Sequence, residues 1–343
     1  MKPQRILILM HETLVPPDDL SQCTPQQIDE FYTEFDVMRQ LKASGHEVRC
    51  LGLGDNLEEL TVALKEWRPH VAFNLAEEFQ GLVSYDQHVV SFLELMRQPY
   101  TGCNPRGLLL SRDKALAKQI MAFHGIATPG FVVFAKGQRV QLPAGLHFPL
   151  FVKSVTDDAS LGISQASIVR DMTRLKQRVE FIHGQTGSAA LVEEFIAGRE
   201  LYVGVIGNER LQTYPLWEMD FGTSGSDREG AAIATRKVKW DHEYRDRHNI
   251  ASHAARDIAP ELRVRISDIA KQVYRVLSLS GYARIDLRLS ADGNVYVLEA
   301  NANPCLTSYD DFARAAAVAG DDYADLLERI VRLGRRYRVA WRN

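Results

Sequence analysis

Cysteine is scarce in this sequence: the 343 residues include four, and no two of them are spaced as Cys-x-x-Cys. Zinc sites and the disulfide frameworks of small secreted proteins need closely spaced cysteine pairs, so this spacing indicates neither of them. The sequence also lacks a large excess of charge of one sign, since the formal net charge is −3 at pH 7. A surface that binds nucleic acid carries a large positive charge, so we expect no nucleic-acid partner.

Long apolar runs are missing as well. No stretch approaches the roughly 20 apolar residues that a membrane-spanning helix needs, and no charged-then-apolar leader opens the chain. We therefore expect a cytoplasmic protein without a membrane partner. The first apolar run, residues 5–10, is not followed by Gly-x-Gly-x-x-Gly, which argues against a dinucleotide-binding domain.

The first third of the sequence alternates continuous apolar runs, which predict buried strands, with apolar residues at helical spacing. The predicted strands are residues 5–10, 46–51 and 71–75, and the predicted helices are residues 24–44, 57–67 and 86–96. This alternation is typical of a parallel sheet with helices on both faces, which binds ligands at the carboxyl ends of its strands. Glu12 and Glu78 lie at those ends, so we expect them to contact substrate.

The rest of the sequence predicts a mixed architecture. The predicted strands are residues 131–134, 148–153, 191–196 and 201–206, and the predicted helices are residues 113–124, 260–279 and 311–332. Ser111 is the expected N-cap of the first of these helices. Residues 218–250 show no regular pattern and are too long for a plain connection, which indicates a functional lid or a mobile insert.

These elements together predict an α/β fold, which is α+β in its second and third parts. The expected domains are an N-terminal parallel-sheet domain at residues 1–110, a central domain at residues 111–205, and a C-terminal domain at residues 206–343.

One segment near the C-terminal end is the most informative in the chain. It predicts a β-hairpin made of two alternating apolar runs and a turn: residues 283–289, residues 294–298 and Asp292-Gly293. Asp286 lies on the first strand, while Glu299 and Asn301 share one face at the end of the second. Such hard oxygen ligands suit Mg²⁺ held together with substrate phosphates. The alternative is an ordinary exposed hairpin with scattered acids.

Seven segments, taken together and in order, resemble the ATP-grasp superfamily, and most closely its D-alanine–D-alanine ligase branch. They are Pro99-Tyr-Thr-Gly102, Ser111-Arg-Asp-Lys114, Phe148-Pro-Leu-Phe-Val-Lys153, Ala159-Ser-Leu-Gly162, Leu191-Val-Glu-Glu-Phe-Ile-Ala-Gly-Arg-Glu200, Arg284-Ile-Asp286 and Leu298-Glu-Ala-Asn301. The resemblance covers nearly the whole chain. It implies a three-domain ATP-grasp fold and an ATP-dependent ligase that joins a carboxylic acid to an amine through an acyl phosphate.

The resemblance also implies ATP and one or two Mg²⁺ ions as cofactors, with Mn²⁺ as a substitute. Small-molecule acids and amines would be the substrates, and a homodimer is left open. The implied ATP-binding positions are Lys114, Lys153 and Ser160 for the phosphates, Glu193, Glu194, Phe195 and Ile196 for adenine, and Glu200 for ribose. Lys153 ends an apolar strand, where an unpaired ammonium would be costly to bury, and this favours a phosphate partner for it.

The hairpin positions match further functional residues of the family. Asp286, Glu299 and Asn301 match the metal ligands. Arg284 matches the arginine that stabilises the acyl phosphate and the tetrahedral intermediate, as a fixed guanidinium aimed at developing negative charge would do. Its alternative role is a simple ion pair with Asp286 or Glu299, and both roles are compatible.

The sequence departs from the family where the substrates bind. Residues 74–86 lack the family's His-Gly-x-x-Gly-Glu-Asp-Gly segment, and Cys305 and Asp310 stand where the family has glycine and serine. An aspartate repels a carboxylate and favours a cationic or hydroxylated group, so we expect Asp310 to contact a changed substrate. Three alternatives stay open: a genuine D-alanine–D-alanine ligase, an ATP-grasp kinase of small molecules, and a nucleotide-binding protein without catalysis.

Residues 222–249 are expected to act as a lid. The segment is rich in Gly and Ser at first and then presents Lys237 and Lys239, either of which could reach the terminal phosphate. A closed lid would exclude water from an acyl phosphate that hydrolyses easily. The alternative is an exposed linker whose charges only keep it soluble.

Overall fold

The structure is a computed structural model that describes residues 2–17, 19–156, 162–221, 233–235, 238 and 242–339. Ser160, Lys237, Lys239 and most of the expected lid lie outside these residues, so their roles stay predictions. Within the described part, no helix combines the length and the apolar composition needed to cross a bilayer.

The first domain contains the predicted parallel sheet, with strand order β2-β1-β3. Its strands are β1 (Arg5–His11), β2 (Glu47–Leu53) and β3 (Val71–Asn74), and its helices are α1 (Pro25–Glu30), α2 (Tyr32–Ala43), α3 (Glu58–Glu66) and α4 (Asp86–Leu95). Strand β1 is central because its apolar run is buried on both faces. The helix expected at residues 24–44 is two helices, divided at Phe31.

The central part of the chain forms a four-stranded antiparallel sheet of order β4-β7-β5-β6. It consists of α5 (Pro105–Arg112), α6 (Lys114–Phe123), β4 (Phe131–Phe134), β5 (Leu150–Ser154), β6 (Ile168–Val169), α7 (Met172–Thr186) and β7 (Ala190–Glu194). The expected N-cap at Ser111 is wrong, because Ser111 lies inside α5 and Asp113 accepts hydrogen bonds from the first amides of α6. Helix α7 was not predicted.

A six-stranded sheet of order β11-β10-β8-β12-β13, with β9 paired to β8, forms the last part. Its strands are β8 (Arg199–Ile206), β9 (Gln212–Thr213), β10 (Trp217–Asp220), β11 (Ala251–Ala254), β12 (Tyr282–Leu289) and β13 (Val295–Asn301). Its helices are α8 (His242–Arg247), α9 (Pro260–Val276), α10 (Asp311–Val318) and α11 (Tyr323–Arg336). Strand β8 pairs along its whole length with β12, so this sheet begins before the domain boundary expected at residue 205.

Two expectations for the last part are wrong. Residues 218–250 are not wholly irregular, since their described residues include most of β10 and all of α8. The single helix expected at residues 311–332 is the pair α10 and α11. Gly320, whose φ is +97°, turns the chain between them, and Asp322 then caps α11.

Helix α11 returns the C-terminal end to the first domain. Its apolar residues, among them Ile330, pack in one cluster with Ile6, Ile8 and Met10 of β1. Gly334 makes this contact close, because a Cβ added there would collide with the backbone carbonyl of Tyr100. The first sheet is therefore held against α11, the last helix of the described chain.

The surroundings of two helical glycines predict opposite effects on stability when each is changed to alanine. Gly184→Ala in α7 places a Cβ in open space, so lower backbone entropy in the unfolded chain should stabilise the protein by about 0.5–1 kcal/mol. Gly334→Ala should destabilise it by about 1–3 kcal/mol, because the new methyl group overpacks against Tyr100. Urea unfolding measures both variants, and equal effects would contradict the close contact.

Candidate active site

The predicted hairpin is confirmed, and its register places four polar side chains together. In the antiparallel pair β12–β13, Arg284 lies opposite Asn301 and Asp286 lies opposite Glu299. Side chains two residues apart on a strand share a face, so these residues form one patch, which we call the hairpin patch. The register shifts just after Asp286, and the patch ends there.

Arg284 is fixed within the hairpin patch by an ion pair. Its Nε and Nη2 donate to the two carboxylate oxygens of Asp286 at 2.7 and 2.9 Å, and its guanidinium lies 4.7 Å from the ring centre of Tyr202. Burial opposes the charged form, but Asp286 raises the pKa of Arg284 well above its ordinary value. The alternative role as an ion-pair partner is therefore confirmed, and the same contacts hold the guanidinium rigidly in place.

A row of four alternating charges joins the two antiparallel sheets. The carboxylate of Glu193 lies 2.9 Å from Lys118 Nζ and 2.9 Å from Lys153 Nζ, and Lys153 Nζ lies 3.8 Å from Glu299. We call this set, Lys118–Glu193–Lys153–Glu299, the charge row. Lys153 pairs with Leu191 in the β5–β7 register, so it is a diagonal neighbour of Glu193 on the same face.

The charges of the row stabilise one another in a buried place. Burial opposes the charged forms, yet the two lysines hold the pKa of Glu193 below its ordinary value, and Glu193 and Glu299 raise the pKa of Lys153. Burial lowers the pKa of Lys118, whose Nζ also donates to Thr128 Oγ1 at 2.7 Å. The sequence argument that Lys153 needs a phosphate because it lacks a protein partner is wrong. Its phosphate-binding role remains a prediction.

Lys118 is a member of the charge row that sequence reasoning missed. It is fully buried, one turn after Lys114 on α6, and Lys114 itself is only 5% exposed. Two lysines four residues apart lie on the same face of a helix, so this spacing was the available signal. The partner of Lys118, Glu193, is 75 positions away in the chain and could not be read from that spacing.

The positions expected to bind adenine and ribose surround the end of β7. Glu194 accepts a hydrogen bond from Gly130 N at 3.2 Å, and Phe195 N donates to Pro149 O at 3.1 Å. Ile196 follows, half-buried. Glu200 is buried and accepts from Tyr202 Oη at 2.8 Å and from Arg288 Nη2 at 2.7 Å. Glu193 and Glu200 are therefore buried, paired groups rather than solvated charges.

A cavity of about 510 Å³, which we call the acidic cavity, lies at the carboxyl ends of β1 and β3. Its walls include five carboxylates: Asp29, Glu30, Glu34, Glu77 and Glu78. His11 Nε2 lies 3.4 Å from Glu78. Glu78 is thus on the wall, whereas Glu12 is not among the lining residues and its carboxylate lies against Gly54. The expected substrate contacts of both residues stay predictions.

A second cavity, of about 290 Å³, adjoins the first and is lined by Arg284, Glu299, Asn301 and Asp310; we call it the arginine cavity. Asp310 accepts a hydrogen bond from Asp311 N at 2.6 Å and caps α10. Burial, and then the neighbouring Asp311, raise the pKa of Asp310. Five residues line both cavities and mark their junction: Asp29, Thr33, Glu77, Asn303 and Cys305.

The hairpin patch fits a metal ion shared with phosphates better than a site built by protein alone. Among the described residues, no three His, Cys, Asp or Glu side chains converge as a complete metal site. Asp286 and Glu299 supply two carboxylates, and Asn301 supplies an amide oxygen. Mg²⁺ is commonly bound through one or two carboxylates, with waters and phosphates completing its shell, so this donor set suits Mg²⁺ bound with ATP.

Known proteins resemble this chain in sequence and in fold. Residues 120–332 match the family model for the D-ala D-ala ligase C-terminus. The D-alanine–D-alanine ligase of Desulforudis audaxviator is 32% identical over 301 residues, which are 87% of this chain and 90% of that protein. This chain belongs to the D-alanine–D-alanine ligase family. As a family member, it is an ATP-dependent carboxylate–amine ligase with the ATP-grasp fold.

Other relatives extend the comparison. The uncharacterized protein y4sG of Sinorhizobium fredii is 32% identical over 308 residues, which are 88% of this chain and 86% of that protein. The fold resembles that of the Bacillus anthracis D-alanine–D-alanine ligase solved with ATP, with a TM-score of 0.73 and 22% identity over 97% of this chain and 98% of that one. The fold class expected from the sequence is confirmed.

The charge row predicts that one of two neighbouring glutamates, Glu193, contributes far more to stability than the other, Glu194. Glu193→Gln leaves two buried ammonium groups without their shared carboxylate, so it should lower the free energy of unfolding by roughly 3–5 kcal/mol. Glu194→Gln, half-buried and bonded to one backbone amide, should lower it by about 1 kcal/mol or less. Urea unfolding of both variants tests this difference, and similar losses would contradict the pairing.

The buried Glu34 predicts a dependence of stability on pH. Burial, with a smaller contribution from the charge of Glu77, raises its pKa to about 7. The folded protein then holds a proton that the unfolded chain releases near pH 4.5, so stability should fall by about 3 kcal/mol as pH rises from 4.5 to 7. Glu34→Gln should remove this fall, whereas Glu30→Gln at the exposed rim should keep it. Urea unfolding at pH 5 and pH 8 distinguishes the variants, and identical profiles would refute the assignment.

Proposed function

We propose that this ligase phosphorylates a carboxylic acid with ATP and transfers the resulting acyl group to an amine, releasing ADP and phosphate. The observation that carries the proposal is the hairpin patch, in which Arg284, Asp286, Glu299 and Asn301 occupy directly opposed strand positions. The charge row reaches this patch through the contact of Lys153 with Glu299. A nucleotide and a reacting carboxylate would therefore meet at one place.

The residues of the central sheet would hold ATP. Lys153 and Lys114 are buried cations, and an ammonium neutralises phosphate charge without needing a fixed bidentate geometry. The chain after β7, at Phe195 and Ile196, would offer backbone groups to adenine, and Glu200 would accept from the ribose hydroxyls. Asp286, Glu299 and Asn301 would hold Mg²⁺, which would supply positive charge against the phosphates and the transferred phosphoryl group.

Arg284 would stabilise the acyl phosphate and the tetrahedral intermediate. It lines the arginine cavity, and its pairing with Asp286 and its stacking on Tyr202 fix the guanidinium before substrate arrives. A donor that is already oriented toward developing negative charge needs no reorganisation during the reaction. This favours acyl transfer over a kinase reaction, in which no tetrahedral oxyanion forms.

The substrates are proposed to differ from two D-alanines. The Desulforudis audaxviator relative is named a D-alanine–D-alanine ligase, so synthesis of that dipeptide is the second candidate. Against it, Asp310 takes the place of the serine that binds the second substrate's carboxylate in that family, and Asp310 lines the arginine cavity. A carboxylate at this position would be repelled by Asp310 in its charged form.

Isotope transfer tests the proposed mechanism. With an acid substrate whose carboxylate is labelled with ¹⁸O, acyl phosphate formation should place one ¹⁸O atom in the released phosphate for each amide formed. Unlabelled phosphate with AMP as the nucleotide product would reject the proposal in favour of adenylation. A stable phosphorylated product formed without an amine would identify a kinase. Incubation with D-alanine alone tests the second candidate, which predicts a dipeptide.

A further inference from the structure

The acidic cavity has a strong excess of negative groups. Glu34, Glu77 and Glu78 line it, Asp29 and Glu30 stand exposed at its rim, and the described lining residues include neither lysine nor arginine. His11 is the one basic group among them, and it lies beside Glu78. The cavity thus contrasts with the charge row, in which lysines and glutamates alternate.

Glu34 points to a ligand independently of this excess. Its side chain, on α2, is 6% exposed and lines the cavity. Its carboxylate accepts a hydrogen bond from its own backbone amide, and among the described residues no other side chain forms a hydrogen bond or an ion pair with it. A buried carboxylate without a cationic partner is costly, and a cation brought by a ligand would remove that cost.

A metal ion does not fit this arrangement. A protein site for a divalent cation needs several oxygen ligands converging within about 2.0–2.6 Å of one point. In the described part of the chain, no three acidic, histidine or cysteine side chains converge in that way. The carboxylates are instead spread around a cavity of about 510 Å³, a volume that suits an extended organic molecule.

The cavity is continuous with the place of reaction. Thr33, Asn303 and Cys305 line both cavities, and Arg284 lines the second. A molecule whose charged end occupies the acidic cavity can therefore place its other end beside Arg284 and the hairpin patch. Its charges would face the carboxylates while its reacting group faces the proposed phosphoryl site.

We propose that one substrate of this ligase carries two or more cationic amino groups, and that the acidic cavity around Glu34 binds at least one of them as an ammonium ion. The chemistry is that of two ammonium groups on an aliphatic spacer, as found in a diamino acid or in a diamine. This inference rests on the proposed function for the fate of the substrate, but the binding itself needs no ATP.

Calorimetric titration at pH 8 without ATP tests the binding. The probes form two matched pairs, 1,5-diaminopentane with pentylamine and lysine with norleucine, which differ by one ammonium group. The second ammonium should tighten binding roughly tenfold or more, corresponding to about 1.4 kcal/mol. Glu34→Gln should reduce this advantage to less than about threefold, and Glu180→Gln, exposed on α7 and away from the cavity, should preserve it.

The outcomes separate this inference from the proposed function. Equal binding within each matched pair, or an advantage that survives Glu34→Gln, would overturn the inference. The stability measurement at pH 8 shows whether Glu34→Gln remains folded. If the diamine advantage is present but phosphate release from ATP is absent with every acid and amine pair tried, the inference stands and the proposed function fails.

A second set of measurements identifies the source of the ammonium groups. Transfer of ¹⁸O from labelled lysine into phosphate would show that a diamino acid is the activated acid. Phosphate release that depends on 1,5-diaminopentane together with a neutral acid would show that a diamine is the acceptor: the acidic cavity holds one amino group as an ammonium ion, and the other loses its proton and attacks the acyl phosphate. Either result supports a dicationic substrate. Turnover that is equally fast with norleucine and pentylamine would contradict it.

Discussion

The structure depends on one buried carboxylate, that of Glu193, which binds two lysines at 2.9 Å each. Because Lys118 comes from α6 and Lys153 from β5, this carboxylate ties a helix to the central sheet. Lys153 then contacts Glu299 of the last sheet at 3.8 Å. Charges are tolerated in such a buried place only when they alternate and are paired, so the row fixes how the two sheets face each other.

The two ends of the candidate site differ in their charge balance. Cations and anions are paired at the hairpin patch and along the charge row, which preorganises groups that would hold ATP. In the acidic cavity, Glu34 has no cationic side-chain partner within the described residues, so burial raises its pKa to about 7 and the fold loses stability as pH rises from 4.5 to 7. A stability cost at a substrate cavity is expected where a ligand, rather than the protein, supplies the opposite charge.

Local patterns were enough to predict the hairpin, because alternation and an Asp-Gly turn fix which residues share a face. The parallel sheet followed in the same way from apolar runs and helical spacing. The pairing of Glu193 with Lys118 was not predictable, because it depends on how helix α6 packs against strand β7, which lies far from it in the sequence. Gly320 illustrates a different failure: helical spacing continued across residues 311–332, but a residue with positive φ divides them into two helices.

The most direct test of a joint ATP and metal site is Mn²⁺ binding, followed by electron paramagnetic resonance, with and without a non-hydrolysable ATP analogue. Two protein carboxylates are a weak site alone, so the analogue should tighten Mn²⁺ binding by roughly tenfold or more. Glu299→Gln should abolish this gain, and Asp292→Asn, at the exposed turn of the same hairpin, should keep it. Mn²⁺ binding that ignores the nucleotide, or a gain that survives Glu299→Gln, would contradict the account.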